Sequence, residues 1–384
     1  MTTTAYVAES RRNFTWLEKL GQVNWVLVLL ITIIAAIGFA MQYSMAGGHF
    51  MPWAAPQMAR FAIGLVILTA VALVDIRIWM ALAYPAYLVS FLLLIAVEFV
   101  GHVGLGAQRW IELGPIQIQP SELMKIALVL ALARYLHGLP LEDVSKPQKL
   151  AVALVMIAAP AVLVLKEPNL GTAMILFADG FSLLFLAGLS WWWILPSVAG
   201  LLGAVPIAWH FLHDYQKRRV MTFLNPQSDA LGAGWNITQA KIAIGSGGLT
   251  GKGFVQGTQS RLNFLPEKNT DFAISALGEE FGFVGCVVLL VLFAIVISYG
   301  VLIATSSRNQ FGRLVAMGIT LNFFFYIMIN AAMVMGLIPV VGIPMPLISY
   351  GGTAMLTVMF GFGLLMSVHV HRQVELPRSS GGIV

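Results

Sequence analysis

Glu122 and Lys125 lie where an apolar run begins, in Gln119-Pro120-Ser121-Glu122-Leu123-Met124-Lys125. Pro120 and Ser121 suit a helix start, which puts the two charges at i and i+3 on one helix face. Charged groups within a membrane span are costly, so each needs a reason. An internal ion pair would lower the cost of insertion. A lysine that meets a phosphate, with the glutamate holding it in place, is the functional reading, and the two are compatible. A second group stands in Phe264-Leu265-Pro266-Glu267-Lys268-Asn269-Thr270-Asp271-Phe272, just before another apolar run. Asp271 has the type and place of a helix-start carboxylate, which makes capping the plain account. Ser275 and Gly278, at i+4 and i+7, share its face and leave a small-residue groove beside it. Glu279 and Glu280 fall two turns deeper. A carboxylate at the rim of a membrane cavity is suited to accept a proton from a hydroxyl group.

Other polar groups point less far. Glu98 and Asp179 also fall inside apolar runs, where helix-packing hydrogen bonds explain them. His210 with His213, and His369 with His371, have metal-ligand spacing but no evident third ligand. Gly245 to Gly253 imitates a phosphate loop and fails as one. No glycine stands five before Gly251, and Gly253 follows Lys252 where Ser or Thr should be. A glycine turn that brings backbone close to a ligand remains open. Cys286 is the sole cysteine, so there is no disulfide framework.

The elements that must carry these residues are membrane helices. Of 384 residues, 59% are hydrophobic and 10% charged, against roughly 25% charged in soluble domains. Ten spans are expected near 23–43, 56–74, 78–100, 121–136, 150–165, 170–188, 191–211, 272–303, 314–337 and 351–369. The expected organisation is a cytoplasmic segment 1–22, helices 1–7 over 23–211, a periplasmic loop 212–270, helices 8–10 over 271–370, and a cytoplasmic tail 371–384. Lys and Arg in short loops favour the cytoplasm, which places both termini there. The long 212–270 loop is the exception, with Lys217, Arg218, Arg219, Lys241, Lys252, Arg261 and Lys268 against Asp214, Asp229 and Glu267. Long loops cross regardless of charge. A basic surface also concentrates anions, and a diphosphate headgroup would suit it.

Several segments, taken in order, resemble the SEDS family (shape, elongation, division and sporulation). They are Gly106-Ala107-Gln108-Arg109-Trp110 with Gln119 to Lys125; Glu167-Pro168-Asn169-Leu170-Gly171-Thr172; Tyr215 to Pro226; Trp235 to Gly253; Asn263 to Glu280; and Gly336 to Gly352. Pro339-Val340-Val341-Gly342 and His369-Val370-His371-Arg372 resemble the RodA branch rather than the division paralogue FtsW. The resemblance implies an all-α, ten-helix polytopic bundle in the bacterial inner membrane, with a long periplasmic loop between helices 7 and 8. It implies polymerisation of lipid II into glycan strands at the periplasmic face during elongation and rod-shape maintenance. It also implies a class B penicillin-binding protein as cross-linking partner within the elongation machinery. The family's essential aspartate falls on Asp271, and its Gln-Pro-Ser-Glu motif places substrate-binding roles on Glu122 and Lys125. The family often has Asp where this chain has Asn169, and Glu167 is a candidate source of the missing charge.

The mechanism expected from these residues has Asp271 activate the acceptor 4-hydroxyl, with undecaprenyl diphosphate leaving from the donor. Substrate-binding candidates are Glu122, Lys125, Arg109, Arg218, Arg219, Lys252, Glu167, Asn169 and Ser275. A divalent cation, magnesium or manganese, is a candidate cofactor, and no nucleic acid is expected. The rivals are a lipid II flippase, a scaffold that only recruits the cross-linking enzyme, and the FtsW paralogue with the same chemistry. The unusual charges gather at the expected outer end, which favours an enzyme over a flippase.

Overall fold

The computed structural model describes residues 15–377 apart from 105–106, 114–115, 168, 194, 197–199, 201–202, 204–213, 226–232, 263 and 266. Its helices are α1 Trp16–Gln22, α2 Trp25–Met45, α3 Ala54–Leu73, α4 Ile76–Val100, α5 Pro120–His137, α6 Pro147–Lys166, α7 Leu170–Leu186, α8 Asp214–Leu224, α9 Ala233–Ser246, α10 Thr258–Arg261, α11 Ala273–Ser306, α12 Gln310–Val334 and α13 Gly352–Val370. Local chemistry sets several starts. Asn24, Asp75, Asn169 and Asn309 each accept a backbone N–H of the first turn of α2, α4, α7 and α12. Prolines open α5 and α6, where the missing N–H costs nothing.

Among the described residues, α2, α3, α4, α6, α11, α12 and α13 are long and apolar enough to cross a membrane, so this is a multi-pass membrane protein. α7 is shorter and α5 carries Glu122, Lys125 and Arg134, yet both occupy their expected places inside the bundle. The expected span at 191–211 falls mostly outside the described residues. Burial separates the inner helices from the outer ones. Most of α5, α12 and α13 is buried, whereas α4 and α11 turn Leu88, Leu92, Phe99, Phe283 and Val291 outward, as lipid-facing surfaces do.

Between α4 and α5 the chain forms a small antiparallel meander that the hydropathy pattern did not anticipate. It comprises β1 His102–Gly104, β2 Ala107–Leu113 and β3 Ile116–Ile118. Ile111 lies opposite Ile118, and Gln117 donates across the pair to Glu112 (3.0 Å). These strands are too short to stand out from the apolar runs on either side.

α11 is not one uninterrupted helix. Gly282, at φ 64° and ψ −159°, breaks it. The segment 247–253 supplies the lost backbone partners, as irregular backbone within a membrane protein requires. Phe283 and Val284 donate to the carbonyls of Gly248 (2.9 Å) and Leu249 (3.1 Å), while Lys252 and Gly253 donate to those of Glu279 and Glu280 (3.0 Å each). The glycine turn thus approaches this protein's own broken helix. Gly251, at φ +81°, has no room for a Cβ against the Glu280 carbonyl. Gly251→Ala is expected to lower the unfolding temperature in detergent by several degrees. Gly245→Ala, in α9 with open space around it, is expected to hold or raise it, since alanine favours a helix by about 1 kcal/mol over glycine.

Candidate active site

α5 is the innermost charged element. Glu122 and Lys125 are buried in its first two turns and form the expected pair, Nζ to Oε1 at 2.7 Å. Tyr326 of α12 closes it: its hydroxyl meets Glu122 Oε2 at 2.6 Å and Oε1 at 2.8 Å and accepts from Lys125. The pair therefore satisfies itself, as buried charge must. For Lys125 to meet a phosphate it would have to exchange one of these partners. Tyr326 also lines a small cavity with Gln57, Pro344, Leu347, Ser349 and Val358, so the pair lies one residue behind a cavity wall. Asp179 of α7 is buried and accepts from Asn322 of α12 at 2.5 Å, the helix-packing bond expected of it.

Asp271 lies on the turn that leads into α11. The N-cap position of that helix falls on Phe272, which makes no side-chain cap bond. Asn330 of α12 donates both to the Asp271 carbonyl (2.8 Å) and to that of Ile343 (2.6 Å). Gly342, at φ +71°, faces the aspartate, and a Cβ there would sit 3.6 Å from Asp271 Oδ2. The turn and the irregular segment 339–350 are joined again where Tyr350 donates to the Asn269 carbonyl (2.7 Å). Gln42 of α2 reaches Asn269 (3.0 Å) and Ile348 (3.1 Å), and Gln57 of α3 reaches Ser349 (3.0 Å). Lys268, three residues before Asp271, lies 5.6 Å from the Trp53 ring centre, and burial lowers its ammonium pKa.

A clamp holds α11 below this turn. Glu279, fully buried, accepts from Lys252 (2.7 Å), from Thr258 N (2.8 Å) and Oγ1 (2.9 Å), and from Gln259 N (3.0 Å). Glu280 accepts from Ser44 and from Val255 N (3.2 Å). The two deep carboxylates therefore tie the segment 252–259 to α2 and α11. Lys252, expected to bind substrate, is engaged with Glu279. Ser275 is buried, and its Oγ lacks a partner among the described residues.

At the turn between α6 and α7, Arg109 donates to the Glu167 carbonyl (3.0 Å), and Asn169 caps α7 at Thr172 (3.4 Å). Both carboxylate oxygens of Glu167 are buried without a hydrogen-bond partner among the described residues. Burial raises the Glu167 carboxyl from 4.5 to about 8, with Arg109 opposing and Glu98 adding to the rise. Between those pH values the folded chain holds a proton that the unfolded chain has lost, so stability falls as pH rises. Glu167→Gln is expected to match the wild-type unfolding temperature near pH 4.5 and to exceed it increasingly up to pH 8.

Among the expected residues, the structure brings Glu122 together with Lys125, and Arg109 with Glu167; Asn169, two residues on, serves as the cap of α7. Arg218 and Arg219 lie in α8, but their side chains fall outside the described residues, as do His210 and His213. The described residues bring together no group of three His, Cys, Asp or Glu side chains able to hold a metal ion. Asn322, Tyr326 and Asn330 were not anticipated. Their signal was three polar residues at intervals of four in an apolar span.

A helical membrane bundle with buried charge at one end of its inner helices defines the class of protein. The cell cycle protein family of FtsW, RodA and SpoVE matches residues 19–374, and the chain belongs to it. The chain is 44% identical over 350 residues to the peptidoglycan glycosyltransferase MrdB of Escherichia coli (strain K12), covering 90% of this chain and 94% of that one. It is 34% identical to a probable peptidoglycan glycosyltransferase FtsW of Trichlorobacter lovleyi, over 91% of this chain and 94% of that one. Among solved structures, a peptidoglycan synthase complex that coordinates polymerization and crosslinking is similar at TM-score 0.80 and 32% identity, covering 91% and 98%. The rod shape determining protein RodA of Thermus thermophilus is similar at 0.70 and 30%, covering 91% and 97%.

Proposed function

We infer that this protein is a peptidoglycan glycosyltransferase of the RodA branch, which polymerises lipid II into glycan strands during cell elongation. The observation that carries the mechanism is Asp271, half-buried on the turn before α11 and bound through its main chain by Asn330, with Lys268 three residues earlier on the same turn. The Glu122–Lys125 pair lies behind the wall of the cavity that Tyr326 lines. Asp271 takes the proton of the acceptor 4-hydroxyl as that oxygen bonds to the anomeric carbon of the donor strand. The bond from that carbon to the diphosphate breaks, and undecaprenyl diphosphate leaves without needing a proton. Positive groups lower the barrier by balancing the growing charge. Lys268, Arg218 and Arg219 are the candidates, with Lys125 as a fixed charge behind Tyr326. Arginine suits this role through its planar fork of donors. A magnesium or manganese ion carried by the diphosphate is compatible with this scheme, and no step depends on it.

Lys and Arg support the orientation. Lys19, Arg134, Arg308 and Arg372 hydrogen-bond around the bundle end opposite Asp271. That end is therefore assigned to the cytoplasm, with both termini, and the Asp271 end to the periplasmic face of the inner membrane. The similarity to a synthase complex supports a class B penicillin-binding protein as partner, which would cross-link the strand. The test is product analysis: purified protein in detergent, with lipid II and no second compartment, yields glycan polymer with or without that partner. Transport of lipid II across vesicles without polymer would instead identify a flippase.

A further inference from the structure

α12 carries a polar stripe. Asn322, Tyr326 and Asn330 recur every fourth residue and share one face along about 12 Å of helix. Asn322 and Tyr326 bond to side chains of neighbouring helices, Asp179 and the Glu122–Lys125 pair. Asn330 differs. It is fully buried, and its amide meets main-chain carbonyls of two segments that are not helical, at Asp271 (2.8 Å) and Ile343 (2.6 Å). The residue beside Ile343 is Gly342, which faces the Asp271 carboxylate. One amide thus fixes both the main chain that bears the carboxylate and the segment that faces that carboxylate.

We propose that Asn330 is a positioning residue for Asp271, setting the carboxylate by clamping the Asp271 turn to the Gly342–Ile343 segment; this rests on Asp271 being the general base. An amide fits because its two hydrogens match two carbonyls. A serine offers one hydrogen, an alanine none, and an aspartate would bring charge against both acceptors. A shift of about 1 Å in a reacting group costs on the order of 10²-fold in rate, so the effect belongs in turnover rather than in substrate binding.

The experiment measures lipid II polymerisation by the purified full-length chain for Asn330→Ala, Asn330→Asp, Asn330→Ser, Asn322→Ala and Asp271→Asn, with unfolding temperatures in detergent. Asn330→Ala and Asn330→Asp are expected to lose about 30-fold or more in kcat, with KM for lipid II within about twofold. Asn330→Ser is expected to fall between them and wild type. Asn322→Ala removes an amide from the same helix face and is expected to lower the unfolding temperature at least as much, while kcat stays within about threefold. If Asn330→Ala fails to fold, the serine variant carries the same comparison. The proposal is overturned if the Asn330 variants keep wild-type kcat, if KM alone changes, or if Asn322→Ala loses kcat in parallel. An Asp271→Asn enzyme with wild-type rate would instead remove the general base itself, whatever the Asn330 variants do.

Discussion

Asp271→Asn is expected to lower strand formation from lipid II by about 10²–10⁴-fold, the range that a positioned general base contributes. The exchange keeps the size of the side chain and the main-chain bond from Asn330, and it removes the carboxylate proposed to take the proton. A capping role would predict a different outcome, a loss of about 1 kcal/mol in stability with activity retained. The N-cap position of α11 on Phe272 argues against that outcome. Rates from purified protein, read beside unfolding temperatures, separate the two. A large drop in rate with an unchanged unfolding temperature is the expected pattern.

Lys125→Ala is expected to destabilise the fold by about 3–5 kcal/mol, because it strands Glu122 as an uncompensated buried charge. Both residues are almost entirely enclosed, and Tyr326 is the other strong partner of each. Removing both charges together, as Glu122→Gln with Lys125→Met, is expected to recover much of the loss, since replacing a whole buried pair is often close to neutral. Thermal unfolding in detergent checks the stability of the single and double variants. Activity provides the second reading. If Lys125 serves the diphosphate as well as the fold, the double variant recovers stability without recovering its saturation by lipid II. A double variant that regains both would make the pair structural only.

The bundle was legible because apolar runs of about 20 residues have few alternatives. The i,i+3 spacing of Glu122 and Lys125 was enough to read their pairing. The clamp on Glu279 and Glu280 was not legible, because its donors, at Ser44 and over 252–259, come from distant parts of the chain. The glycine segment suggested an approach to a ligand. What it approaches is the backbone freed at Gly282, and a sequence cannot show where a helix breaks. Asn322, Tyr326 and Asn330 were visible as a pattern, yet nothing in their spacing said that one of them reaches Asp271. Glu167, the candidate source of the charge missing at Asn169, is a buried carboxyl near Arg109 whose pKa burial raises, which favours its neutral form, while Asn169 itself serves as a helix cap.

The most direct test of the account is the side of the membrane from which residue 271 is reached. Asp271→Cys in a Cys286→Ser background leaves a single thiol. Membrane vesicles of known orientation, treated with a thiol reagent that cannot cross lipid, should label it from the periplasmic face, and added lipid II should slow that labelling. Labelling from the cytosolic face alone, or labelling that lipid II leaves unchanged, would contradict a carboxylate poised beside the lipid-linked substrate.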